Sequence, residues 1–427
     1  MATTVLEPEA KSGREPTWLP KAMISADSHT IEPPEAYSKH IDPAFRDRVP
    51  TLIKDPVKGD AYLIDGLPAR IALASVSSCG KRARAQKEAD GSTAFYLDEC
   101  RAPFPDGDYA EGFTGAPPMP MAAMTLADTP AGGWQVKPRL EAQDRDGVVA
   151  ELLYPTFGMV LCNHPDDSYQ RAMFDAYNRW LQEFVSEAPT RLFGIGQTAL
   201  RSIDEGIEDL RRIKEMGFVG AMLPGDPDIE GDWHWDTFDP LWEAAQDLDL
   251  PLSFHTLASG RDKRVAGNLL THPKGNQYSV DIGLACPRAN QDVMLSFVLG
   301  GVFEKFPRLK LVCVEAGAGW VPDLAVRMDH FYKRQGNLYK LRELAKLPSE
   351  YFFNHCHVTF QDDPVALALV RHLNPKMLLW ANDYPHSDAS WPWSRNILAQ
   401  HMKDLTDQEK QWILHDNVKT LYNLPVE

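Results

Sequence analysis

The sequence predicts a (β/α)8 barrel, and three features point to it. Eight short apolar runs alternate with helical stretches across the chain. Alternation of this kind makes the strands parallel, and eight such units close on themselves. The first run opens onto Asp-Ser-His-Thr-Ile-Glu-Pro-Pro (27–34), where the competing doubly wound sheet usually carries a glycine-rich phosphate loop.

The elements follow in order. The first strand, 22–29, ends in Asp27-Ser28-His29. Residues 30–139 interrupt the pattern with many prolines and glycines. Within them, 62–71 reads as a hairpin turning at Asp65-Gly66. The basic run 81–87 reads as a solvated loop, with an anion or substrate contact as the alternative. So long a connection is seldom structureless in a compact domain. We expect a lid or dimerisation insert over the barrel mouth, inside a single domain spanning 1–427. Strands are then expected at 147–154, 192–196, 218–223, 251–255, 311–315, 356–360 and 378–383. Helices are expected at 168–188, 204–216, 238–247, 291–306, 365–373 and 407–422, the last packed on the outside. A second insertion, 256–290, is expected to cover the same mouth.

Composition narrows the class. A chain of 427 residues with 44% hydrophobic and 10% aromatic content packs a large core. A net charge of −16 argues against nucleic acid as a partner. No run approaches the ~20 apolar residues of a membrane helix, and the start lacks the basic and apolar parts of a secretory signal. Six scattered cysteines, with no Cys-x-x-Cys pair, fit reduced thiols. A cytoplasmic protein acting on a small molecule, as a homodimer or higher homo-oligomer, is expected.

The chemistry lies at the strand ends. Asp27 and His29 point the same way because side chains alternate along a strand. His255, Glu315 and Asp383 close three later strands. Barrel enzymes carry their chemistry at these C-terminal ends. Imidazoles mixed with carboxylates suit one or two divalent ions of zinc, manganese or iron.

These residues resemble the amidohydrolase-related family that includes aminocarboxymuconate-semialdehyde decarboxylase and the aromatic-acid decarboxylases. The resemblance rests on Asp27-Ser28-His29, Phe306-Pro307-Arg308-Leu309-Lys310, Glu315-Ala316-Gly317-Ala318-Gly319-Trp320-Val321-Pro322, Asn382-Asp383-Tyr384-Pro385-His386 and 417–424. It implies that Asp383 touches the metal and takes a proton as general base. Two positions depart from the family pattern. Asp27 stands where His or Glu is usual, and Glu315 stands where His is usual.

The expected site follows, each residue with its plainer alternative. Asp27, His29, His255 and Asp383 are metal ligands, or else hydrogen-bonded core groups and a helix cap. Glu315 is a ligand or proton carrier, or orients a ligand histidine. Glu32 is a further ligand, or a loop hydrogen bond. His386 moves a proton or binds a second ion. His164, Trp233 and Trp235 contact substrate, unless the tryptophans pack the following helix. His355 and His357 mimic a ligand pair but come at the wrong end of the seventh strand, so they are read as structural. Hydrolysis through metal-activated water is placed first, with non-oxidative decarboxylation next. A dinuclear iron or iron/manganese oxygenase, with Glu32, Glu315 and His386 as extra ligands, is the third reading.

Overall fold

The structure is a computed structural model that describes residues 18–67, 70–99, 117–162, 164–227, 229–256, 258 and 279–426, the side chains of 279–287 excepted. Strand β1 (Met23–His29) starts the barrel. Residues 30–139 then form two small antiparallel sheets, β2 (Thr51–Asp55), β3 (Gly59–Leu63) and β4 (Arg70–Ala72), then β5 (Lys81–Lys87), β6 (Thr93–Glu99) and β7 (Met119–Pro120). The barrel resumes with β8 (Val148–Tyr154), β9 (Leu192–Gln197), β10 (Gly220–Met222), β11 (Leu252–His255), β12 (Leu311–Val314), β13 (Cys356–Phe360) and β14 (Leu378–Trp380). Its order is β1-β8-β9-β10-β11-β12-β13-β14, every pair parallel. With helices around it, this is the expected (β/α)8 barrel.

Side-chain alternation splits the core into two layers. Along β12, Val312 and Val314 join Ile24, Ala26, Leu152, Ile195 and Leu379 in the barrel interior. Leu311 and Cys313 face outward to the helices with Phe254, Phe297 and Val298.

Four expectations need correction. The basic run 81–87 is a strand: it pairs with β6 from Lys81↔Glu99 to Lys87↔Thr93, so an antiparallel backbone ladder holds it extended. The hairpin exists, but Tyr62 pairs with Ile71 across a connection longer than a two-residue turn. The helix expected at 291–306 runs Ser279–Leu299 and restarts at Val302–Lys305, because Gly300 and a left-handed Gly301 (φ +72°) break it. The last helix divides into Asp407–Gln411, a wide turn Trp412–Asp416 and Asn417–Leu421. Val418, Tyr422 and Leu424 join the barrel-interior layer instead of packing only outside.

Most of the second insertion, 256–290, lies outside the described residues. Among the described residues Cys79, Cys162, Cys313 and Cys356 are free thiols, and no helix is long and apolar enough to cross a membrane.

Candidate metal centre

Five side chains converge at the C-terminal end of the strands. Asp27 and His29 close β1, and His255 closes β11. Asp383 and His386 follow β14. Ligand-type atoms of Asp27, His29 and His255 lie within 4.8 Å of one another, as do those of His29, Asp383 and His386. His29 Nε2 is the shared point, 3.4 Å from Asp27 Oδ1 and 3.3 Å from Asp383 Oδ1. His255 Nε2 stands 3.5 Å from Asp27 Oδ1. The His386 ring stacks on His29 with centroids 3.8 Å apart.

The backbone fixes the tautomers. His29 Nδ1–H donates to the Pro155 carbonyl at 2.9 Å, and His255 Nδ1–H to the Thr256 carbonyl at 2.8 Å. Each Nε2 therefore points inward. Both Nε2 atoms and all four carboxylate oxygens of Asp27 and Asp383 are buried without a hydrogen-bond partner. Buried polar atoms are normally paired, so six such atoms around His29 call for an ion. The donor set, two neutral-capable imidazoles and two carboxylates, fits a divalent transition metal.

Charges within the group are strongly coupled. Burial alone would raise Asp27, but His255 and His29 outweigh it and hold the carboxyl well below the usual range. Burial and the neighbouring His386 push His29 down to about 3, and burial pushes His386 down to about 3. For His255, burial is overcome by the Asp27 and Glu315 charges, which lift it to about 9. Asp383 is raised well above its ordinary value by burial and by Asp27. A cation entering this group displaces the proton held on His255 Nε2.

The other expected residues lie around or away from the cluster. Glu315 sits just past β12, its Oε2 3.7 Å from His255 Nδ1, on the side away from Nε2. Its own N–H donates to Thr359 Oγ1 at 2.8 Å, and its carbonyl accepts from Thr256 Oγ1 at 3.0 Å. Burial and Asp383 raise the Glu315 carboxyl well above its ordinary value. The Glu32 carboxylate accepts the N–H groups of Thr156, Phe157 and Gly158 and the Tyr37 hydroxyl. His164 bonds the Asp65 carbonyl at 2.6 Å and packs on Tyr169. Trp233 is buried among Phe238, Trp242, Phe254 and Phe297, whereas Trp235 is exposed. His355 stacks on Phe303 and bonds the Leu309 carbonyl.

Three residues escape the sequence reading. Thr156 Oγ1 lies 2.9 Å from His386 Nε2. Its signal is a polar residue just past a strand end. Asn382 and Arg139 carry the backbone around the site, and neither residue type announces that role in a sequence.

Barrel and cluster together define a metal-dependent enzyme. The profile of the family described as Amidohydrolase matches residues 100–424, and the chain belongs to that family. It is 24% identical over 293 residues to 2-amino-3-carboxymuconate-6-semialdehyde decarboxylase of Dictyostelium discoideum, covering 66% of this chain and 75% of that protein. It is 24% identical over 261 residues to gamma-resorcylate decarboxylase of Polaromonas sp., covering 58% and 75%. The amidohydrolase map2389c of Mycobacterium avium subsp. paratuberculosis superposes with a TM-score of 0.67 at 21% identity, covering 94% of this chain and 98% of that one.

Proposed function

We propose that this protein is a metal-dependent carboxy-lyase, which removes CO2 without oxidation from a small carboxylated organic compound. The observation that carries the reading is that the two curated relatives named above are decarboxylases, each matched over 75% of its length. The sequence alone puts hydrolysis first, and the relatives support its alternative better.

In this reading Asp27, His29, His255 and Asp383 hold the metal. A divalent cation bound there supplies Lewis acidity toward the substrate's carboxylate or a neighbouring oxygen. The chain does the rest. The Pro155 and Thr256 carbonyls keep His29 and His255 turned inward, and Glu315 steadies His255 from its Nδ1 side. Asp383 delivers a proton to the carbon that loses CO2: the C–C bond breaks, its electron pair stays on carbon, and the proton completes a C–H bond. His386, the most exposed of the five, turns Nδ1 toward Asp383, 3.3 Å from Oδ1, and can accept from that carboxyl. Thr156 holds the far side of that ring.

The insertion completes the entrance. Cys79 N–H donates to the Pro385 carbonyl at 3.2 Å, and Ser387 Oγ to the Ser75 carbonyl at 3.0 Å. Residues 74, 75, 78 and 80–83, with Met121 and 387–389, line a cavity of about 420 Å³ beside the loop that bears His386. We read that cavity as the approach for substrate and 30–139 as its lid. A homo-oligomer in the cytoplasm belongs to the same reading.

The dinuclear oxygenase reading asks for Glu32, Glu315 and His386 as additional ligands. Among the described residues only His386 falls within the clustered atoms. The test is direct. Protein purified without added metal is analysed for metal content, then incubated in D2O with carboxylated aromatics bearing a 13C-labelled carboxyl group. Labelled CO2 with one deuterium on the vacated carbon supports the carboxy-lyase. Incorporation of 18O from water without CO2 overturns it in favour of hydrolysis, and substrate-dependent oxygen uptake overturns it in favour of the oxygenase.

A further inference from the structure

We propose that Arg139 is a positioning residue for the metal centre: its guanidinium ties the end of β1 to the loop after β14 and so sets how tightly the site holds its cation. The inference rests on the metal-centre reading above.

The barrel ladder runs from β1 round to β14, but among the described residues no strand ladder joins those two. The cluster straddles this junction. Asp27 and His29 lie on one side, Asp383 and His386 on the other. Two backbone bonds cross it, Asp383 N–H to the Asp27 carbonyl at 3.1 Å and His29 N–H to the Tyr384 carbonyl at 2.8 Å. Ligand spacing therefore depends on whatever else holds the junction.

Arg139 supplies that hold. It comes from the helix Val136–Asp146 and is fully buried. Its Nη1 donates to the His29 carbonyl at 2.6 Å and to the Gly132 carbonyl at 3.2 Å. Its Nη2 donates to the Tyr384 carbonyl at 3.4 Å, and the guanidinium carbon lies 4.9 Å from the centre of the Tyr384 ring. Nε pairs with the buried Glu151 at 2.6 Å, which also accepts from Gln143. A buried ion pair is weak support for stability, because desolvation opposes the Coulomb gain. What this pair does achieve is to aim a rigid, planar donor fork at carbonyls on both sides of the junction. One of them belongs to His29 and the other follows Asp383.

A second set of contacts has the same layout. Asn382 Oδ1 accepts from Ser25 Oγ at 3.1 Å and from Ser28 Oγ at 3.0 Å. Asn382 N–H donates to Ser25 Oγ at 3.0 Å, while its Nδ2 donates to Asp146 at 3.2 Å. Ser25 Oγ also lies 3.0 Å from the Asp27 carbonyl, so its single O–H is shared between that carbonyl and Asn382. Asp146 sits on the same helix as Arg139, so one helix serves both clamps.

The experiment measures Mn2+ affinity of the full chain by competition with a chelator, alongside thermal melts of the stripped protein. Arg139→Lys keeps the charge beside Glu151 but not the fork. Arg139→Met/Glu151→Gln removes both charges together at similar volume, which protects folding, and Ser25→Ala cuts the second clamp with the smallest change. Each variant is expected to melt cooperatively and to bind Mn2+ about 10 to 100-fold more weakly, the usual effect of losing support behind metal ligands. Affinity within twofold of the parent in Arg139→Lys and the double variant overturns the inference, whatever the melting temperatures do. If the double variant does not fold, Arg139→Lys and Ser25→Ala decide by the same criterion. A parent protein that binds no Mn2+, Fe2+ or Zn2+ sinks the metal-centre reading itself, a different failure.

Discussion

Replacing Asp383 by Asn should make the metal-stripped protein more stable and the metal-loaded protein less stable. Asp383 and Asp27 bracket His29 Nε2 at 3.3 and 3.4 Å, and none of their four oxygens has a hydrogen-bond partner. Two like charges ~5 Å apart repel by about 3 kcal/mol at an effective dielectric constant of ~20. The folded protein avoids that repulsion by keeping a proton on Asp383, whose pKa burial and Asp27 raise well above 3.8. Between the unfolded and folded values the native state binds the extra proton. The stability from this group is therefore complete below the unfolded value and is lost as pH rises toward the folded one. Asn has no such dependence and tolerates the left-handed backbone of this position, φ +56°.

Parent and variant should thus melt alike near pH ~3, with the variant ahead at neutral pH by roughly 2–3 kcal/mol, a few °C for a chain of this size. Saturating metal reverses the order. A ligand present at ~1,000 times its Kd stabilises by ~4.1 kcal/mol, and a thousandfold loss of affinity removes ~3.7 kcal/mol of it, more than the variant's lead in the stripped state. Calorimetry of stripped and Mn2+-loaded proteins across this pH range reads both effects. A stripped Asn variant less stable than the parent at neutral pH would refute the account of buried repulsion.

Two further outcomes are expected. His29→Ala should abolish both metal uptake and turnover, whereas Glu315→Gln should keep one ion bound at ~10 to 100-fold lower affinity, because Glu315 faces the Nδ1 side of His255; metal analysis after dialysis separates the two, and half-loss of two ions in Glu315→Gln would point to a dinuclear site. For Glu32, burial outweighs its N–H donors and raises the carboxyl from 4.5 to about 7, so its share of stability is full below pH ~4.5 and falls by up to ~3 kcal/mol as pH rises through ~7. Glu32→Gln should flatten urea-melt stability over that window, and an unchanged pH slope would contradict the assignment.

The barrel is legible in the sequence because parallel strands buried on both faces leave short apolar runs, and because the residues that close them change character abruptly. Leu311→Val would serve its strand about as well, but nothing apolar replaces Glu315 or Asp383. The five clustered residues are readable from residue type and strand position together. What the sequence does not carry is direction. Glu32 lies three residues past His29, yet its carboxylate turns to the N–H groups of 156–158, which need an acceptor. Trp233 and Trp235 are close in sequence, but one fills an aromatic core cluster while the other stands in solvent. In 81–87 the charges suggest a loop and hide the alternation of a strand, because its small residues, Ala83 and Ala85, give almost no apolar signal.

Backbone conformation shows why the strand ends matter more than the strands. Glu315 and Asp383 both adopt left-handed φ values of +56°, which residues with a Cβ seldom take without compensation. Each lies just past the end of its strand, and each is held there by a specific partner. Thr359 Oγ1 accepts the N–H of Glu315, and the Asp27 carbonyl accepts the N–H of Asp383. Glycine would meet the backbone requirement more easily at both positions, but it offers no carboxylate. The strain is therefore kept where a carboxyl group stands at the C-terminal end of a barrel strand. At Asp383 the partner that holds the strained residue is the backbone of another clustered residue, Asp27. Closing the barrel and assembling the ligand group are, at that junction, the same event.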